Sequence, residues 1–115
     1  MEGNYTIEYY KNSKGKEPVM DFIIFSSKKV KAKIFVYINL LKNKGRLKHP
    51  YARHVKDKIW ELRVDFAKNY YRIFYFIFTK KRIILLHAFS KKTNKTPRKE
   101  LEKAINSYKD FLNSN

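Results

Sequence analysis

Two arginines, a histidine and a lysine pair carry the chemistry that this sequence offers. Arg72 is the one charge inside the run Tyr70–Phe78, which is otherwise apolar on both faces. An arginine placed there must be paired, and its planar five-donor fork fits a carboxylate or a phosphate. Arg63 shares the polar face of the preceding run with Glu61. An Arg72–Glu61 cross-strand ion pair and a phosphate-binding role are both open. The two are compatible, because a paired arginine is also an oriented one. His87 stands near the end of a third run, where a lone histidine is either a packed residue or a proton carrier. After it, Ser90-Lys91-Lys92-Thr93-Asn94-Lys95-Thr96 brings lysines, hydroxyls and an amide to the start of a helix, a favourable setting for a phosphate. The other reading of Lys91 and Lys92 is a solvated basic loop.

The residue types narrow the reaction. There is no His-x-x-x-His, no cysteine, and no cluster of acids beyond Glu61 and Asp65. Two-metal nuclease sites need several carboxylates, so phosphodiester cleavage here is expected to need neither metal nor cofactor. RNA permits this, because its own 2′-OH is the nucleophile. The protein has only to align that hydroxyl, take its proton and stabilise the developing charge. No Ser/His/Asp triad and no glycine-rich phosphate loop can be assembled. The expected catalytic group is Arg63, Arg72, His87, Lys91 and Lys92, converging at one end of a sheet. His54, Lys58, Lys95 and Arg98 are expected to contact RNA around it. His87 and His54 are the candidates for proton transfer, since histidine titrates near neutral pH.

Composition supports a polyanionic partner. The 115 residues hold 27 Lys and Arg against 10 Asp and Glu, a net charge of +17. Neutralising phosphates releases counterions, which makes nucleic acid the first candidate and a membrane surface the second. Part of the lysine excess can reflect genome composition, but that does not explain the shortage of acids. Lys80, Lys81 and Arg82 interrupt the longest apolar run, so no segment is expected to span a bilayer. Met1–Tyr10 has no basic start followed by an apolar stretch, which argues against a secretory signal. Absence of cysteine sits easily with a reducing cytoplasm. With 43% hydrophobic and 17% aromatic residues, a single folded domain over residues 1–115 is expected rather than disorder.

The elements that must position the chemistry follow from periodicity. Asn4–Lys11 reads as a first strand, closed by Asn12–Lys16 with its Gly15. Pro18 suits the first turn of a helix running to about Lys28, with Asp21 at its positive end. Val30, Ile34, Ile38 and Leu41 mark a second helix that Gly45 stops. Lys48–Lys58 reads as a polar connection. Ile59–Phe66, Tyr70–Thr79 and Arg82–Phe89 follow as three strands joined by short gaps, hence antiparallel neighbours. In the first of them Trp60, Leu62, Val64 and Phe66 share one face, and the first three should be buried beneath the early helices. Thr96 then caps a last helix with Pro97 at its first position and a stripe of Leu101, Ala104, Ile105, Tyr108 and Leu112. The expected order is β-α-α-β-β-β-α, an α+β fold with a mainly antiparallel twisted sheet and the two early helices on one face.

Quoted in order, Ile59-Trp60-Glu61-Leu62-Arg63, Tyr71-Arg72-Ile73-Phe74-Tyr75, Leu85-Leu86-His87-Ala88-Phe89-Ser90-Lys91-Lys92-Thr93, Lys95-Thr96-Pro97 and Glu100 resemble the phage-derived, HigB-like branch of the RelE/ParE toxin superfamily. The likeness covers about Tyr5 to Tyr108 in element order, with the specific motifs between Trp60 and Glu100. It implies a RelE-like fold and a cytoplasmic toxin of a type II toxin–antitoxin pair that cuts mRNA on the ribosome. It also implies a helix-turn-helix, HigA-like antitoxin as partner. In the RelE pattern, lysines on the first late strand, an arginine on the next, and a late basic residue with a tyrosine form the site. Arg72 matches the arginine, and Lys91 or Lys92 matches the late basic position. Ile59 and Glu61 stand where the strand lysines would be, with Arg63 the nearest cation, and the tyrosine has no equivalent.

Two other functions share these features. A ParE-like, non-enzymatic topoisomerase inhibitor uses the same fold, and fold does not separate them. A basic nucleic-acid-binding accessory protein would use the charge alone. The basic loop Lys91–Lys95 beside Arg72 discriminates, since RNA cleavage needs it and protein binding does not.

Overall fold

The computed structural model describes residues 5–93 and 95–115; Met1–Asn4 and Asn94, which the expectations above include, lie outside them. Thr6–Tyr9 forms β1. Pro18 opens α1 (Pro18–Phe25), where its missing N–H costs no helical bond. The helix ends at Phe25, short of Lys28, because Ser27 accepts a hydrogen bond from the Val30 amide and starts α2 (Lys28–Lys44). Val30, Ile34, Ile38 and Leu41 are buried along it, as their spacing predicts. Gly45 ends α2 with φ +73°, and a Cβ there would also collide with the Tyr5 ring. Left-handed backbone and close approach both require glycine at this position.

The strands β2 (Ala52–Lys56), β3 (Ile59–Phe66), β4 (Asn69–Phe78) and β5 (Arg82–Lys91) complete a five-stranded sheet in the order β1-β5-β4-β3-β2. β1 runs parallel to β5, and the other pairings are antiparallel. The turns Ala67-Lys68 and Lys80-Lys81 carry positive φ at both residues, the geometry whose twist matches that of the flanking strands. Finding β2 corrects the reading of Lys48–Lys58 as a polar connection. Only Ala52 of that strand is buried, and an edge strand with one wet face leaves little apolar alternation to read.

Both faces of the sheet are covered. On one, α1 and α2 lie over Leu62, Val64, Ile73, Tyr75, Ile83 and Leu85. On the other, α3 (Arg98–Ser114) lies over Ile59, Phe74, Phe76, Ile84, Leu86 and Phe89. β4 is thus the central, doubly covered strand that its apolar run implies. Leu62 and Val64 are fully buried, whereas Trp60 is half-buried because its outer neighbour is the short β2, where His54 packs edge-on against the indole. In α3 the inward anchors are Ala104 and Phe111, while Leu112 faces outward. Thr96 does not cap this helix. Pro97 holds the cap position with no side-chain bond, and the Thr96 hydroxyl is used elsewhere.

Candidate nucleic-acid interface

The arginine cluster is assembled by strand register. Arg63 on β3 lies directly opposite Arg72 on β4, and Arg72 lies opposite Phe89 on β5. Two like charges facing each other across a ladder repel, so the arrangement needs carboxylates beside it. Glu61 and Asp65 supply them, two residues before and after Arg63 on the same face. Arg72 Nη1 donates to Asp65 Oδ1 at 2.7 Å and to the Tyr71 carbonyl at 3.1 Å. Its Nε lies 4.0 Å from Glu61 Oε1 without bonding it. The expected Arg72–Glu61 pair is therefore the looser of two, and Asp65 is the closer partner. Arg63 Nε and Arg53 Nη2 of β2 each sit 3.8 Å from the same Glu61 oxygen.

β5 delivers Lys91 through a bulge. Leu85 pairs with Tyr75 and His87 with Phe74, leaving Leu86 as an extra residue. Strict alternation from Ile83 would send His87, Phe89 and Lys91 under α1 and α2. The inserted residue reverses the phase and turns them towards α3 and Arg72. There Lys91 Nζ donates to Thr96 Oγ1 at 3.0 Å, and that hydroxyl donates to Glu61 Oε2 at 3.0 Å. Burial holds the Lys91 ammonium below the ordinary lysine range; Glu61 opposes that shift, and Arg72, Arg63 and Arg53 add to it.

Four cations, Arg53, Arg63, Arg72 and Lys91, thus surround two carboxylates, Glu61 and Asp65. Arg72 is completely buried and Glu61 is 1% exposed, while Arg53 and Asp65 open to solvent. Arg63 Nε, Arg72 Nε, Arg72 Nη2 and Glu61 Oε1 are buried and hydrogen-bond nothing among the described residues. Unsatisfied buried polar groups are costly, so each of these atoms calls for a partner, whether a water, an ion or a ligand. The excess of positive charge and three guanidinium nitrogens that hydrogen-bond nothing among the described residues match an oxyanion such as a phosphate.

The other expected residues are distributed differently. His87 shares the face but sits beyond Phe89, against which its ring stacks, and its Nε2 contacts Glu100 Oε1 at 2.7 Å. Lys92 and Lys95 are exposed in the loop, and Arg98 opens α3, fully outward and beside Glu102. Lys58 lies in the β2–β3 turn, and His54 pairs with Trp60 on the α1/α2 face, so neither reaches the cluster. Arg53, Asp65, Thr96 and Glu100 were not among the expected site residues. Asp65 shares Arg63's polar face in the sequence, Arg53 lies in a segment with no strand period, and Thr96 stands where a helix cap is expected.

A model of the family described as Phage derived protein Gp49-like (DUF891) matches residues 21–109, from within α1 to within α3. No curated protein matches the chain.

Proposed function

The chain belongs to the Gp49-like family of phage-derived proteins, within the RelE/HigB-like toxins, and from that premise we propose that it is the toxin of a type II pair, of the HigB-like branch, which cleaves mRNA on the ribosome without a metal ion. Its partners on this reading are mRNA in the translating ribosome and a HigA-like helix-turn-helix antitoxin. The observation that carries the proposal is the cluster of four cations around Glu61 and Asp65, with buried guanidinium N–H groups left unsatisfied.

In the proposed reaction the 2′-oxygen attacks the adjacent phosphorus and the P–O5′ bond breaks. The products are a 2′,3′-cyclic phosphate and a 5′-hydroxyl, so no water or cofactor enters. Arg63 and Arg72 hold the non-bridging oxygens and stabilise the charge that develops on them. Lys91, whose pKa is lowered chiefly by burial, acts as the neutral amine that takes the 2′-hydroxyl proton, and the departing O5′ takes a proton from solvent to give the 5′-hydroxyl. Thr96 and Glu61 position Lys91. His87 is engaged by Glu100 and acts on this reading by fixing the start of α3 rather than by moving protons.

The test is cleavage of a translated mRNA, read by primer extension, with Arg63→Ala, Arg72→Ala and Lys91→Ala variants. Each should lose about 10²–10³ in rate. Circular dichroism separates lost chemistry from lost fold, and the half-buried Arg63 and Lys91 keep the test open if Arg72→Ala unfolds. Folded Arg63→Ala and Lys91→Ala proteins that cleave normally would refute the assignment. Wild-type protein that arrests growth with mRNA left whole would favour a ParE-like target.

A further inference from the structure

The strands that hold the cation cluster present a second feature on their opposite face. Tyr71 precedes Arg72, Ser90 precedes Lys91, and the two are cross-strand partners. With Phe22, Phe25 and Ser26 they line a cleft of about 420 Å3, within the range of small-ligand sites. Phe25 is the last residue of α1 and is 89% exposed. It belongs to neither core cluster, so packing of the core does not explain an aromatic ring at this position. Phe22 and Tyr71 stand behind it, their rings tilted at 59° with centroids 6.5 Å apart. The Tyr71 and Ser90 hydroxyls have no hydrogen-bond partner among the described residues.

We infer that this cleft is a nucleobase subsite: one unpaired base of the RNA stacks on Phe25 while the Tyr71 and Ser90 hydroxyls bond its polar edge. The inference rests on the RNA reading above and adds a site that the reading does not require. Three observations favour a base over a protein side chain. An aromatic platform beside open hydroxyls suits a ligand with a π-face and a polar rim; an apolar protein surface would bury those hydroxyls unpaired. The phosphate-binding cluster lies on the very next residues of β4 and β5, so one strand bending over their ends can be gripped by its backbone on one face and by a base on the other. Stacking also accepts any base, which fits a cleft whose polar groups are rotatable hydroxyls rather than a rigid donor pattern.

The experiment titrates the full chain with a fluorescein-labelled single-stranded RNA of eight nucleotides, and with the same strand carrying abasic positions. Phe25→Ala should keep its fold, since the ring is exposed. Its affinity for the intact strand should fall roughly tenfold, while its affinity for the abasic strand should equal that of the wild type. Phe25→Trp should bind normally, with indole emission quenched by the intact strand only. Arg72→Ala, or Arg63→Ala if the former unfolds, should weaken both strands. Unchanged affinity of Phe25→Ala, or equal losses on both strands, would overturn the inference. If the arginine variants bind less and Phe25→Ala does not, the phosphate site stands and the base subsite alone fails. If none of them changes affinity, the RNA reading itself fails. Loss of antitoxin binding by Phe25→Ala with RNA affinity intact would assign the cleft to a protein and also overturn it.

Discussion

Glu61→Gln is the most informative single change, because it removes one charge and almost no volume. The glutamine oxygen still accepts from Thr96, so the loop contact through Lys91 persists. What disappears is the buried negative charge between Arg53, Arg63 and Arg72. Breaking a buried ion pair by removing one partner costs about 3–5 kcal/mol. Asp65 still holds Arg72 at 2.7 Å, so the lower end, about 3 kcal/mol, is the working figure. At about 2.1 cal/mol/K per residue, 115 residues give an unfolding entropy near 0.24 kcal/mol/K. The melting temperature should then fall by roughly 12 °C. Inorganic phosphate should restore part of this loss, because an anion replaces the missing charge; at ten times its Kd it would return about 1.4 kcal/mol, or about 6 °C. Wild-type protein should gain less from the same phosphate. Calorimetry with and without phosphate reads both effects. A melting temperature within about 3 °C of wild type, or no differential response to phosphate, would refute the idea that Glu61 balances an under-neutralised cluster.

Gly45→Ala should cost roughly 1–2 kcal/mol from its left-handed backbone alone, plus the collision with Tyr5; a melting point lowered by less than about 4 °C would show that the α2 end relaxes freely. Burial, then the hydrogen bond to Asp110, pushes the Tyr10 phenol up to about 12. The stabilisation from this proton is complete below pH 10 and is lost as pH rises from 10 towards 12. Thermal scans over that range should show a steeper loss in wild type than in Tyr10→Phe, and parallel curves would contradict it. Affinity for single-stranded RNA should fall steeply with salt, and Arg72→Ala should flatten the log–log slope by about 0.7; a salt-insensitive complex would point to a protein target.

The element order apart from β2, the covering of β4 on both faces and the burial of Val30, Ile34, Ile38 and Leu41 were legible in the sequence. Helical and strand periods are local, and Pro18, Ser27 and Gly45 mark their own boundaries. β2 was not legible, because an edge strand with one wet face carries almost no period. Of the site, Arg72 announced itself as a charge inside an apolar run, and Glu61 as the acid nearest to it. Which acid holds Arg72 more closely was a matter of register: Arg63 opposite Arg72 puts Asp65 and Glu61 on either side, and no local pattern states that offset. The face reached by Phe89 and Lys91 depended on one extra residue at Leu86, since a bulge reverses the phase of everything after it. Residue types thus announced a cluster of cations through charge and composition. Only the tertiary structure decided which cations converge, because convergence is set by pairing between segments far apart in the chain.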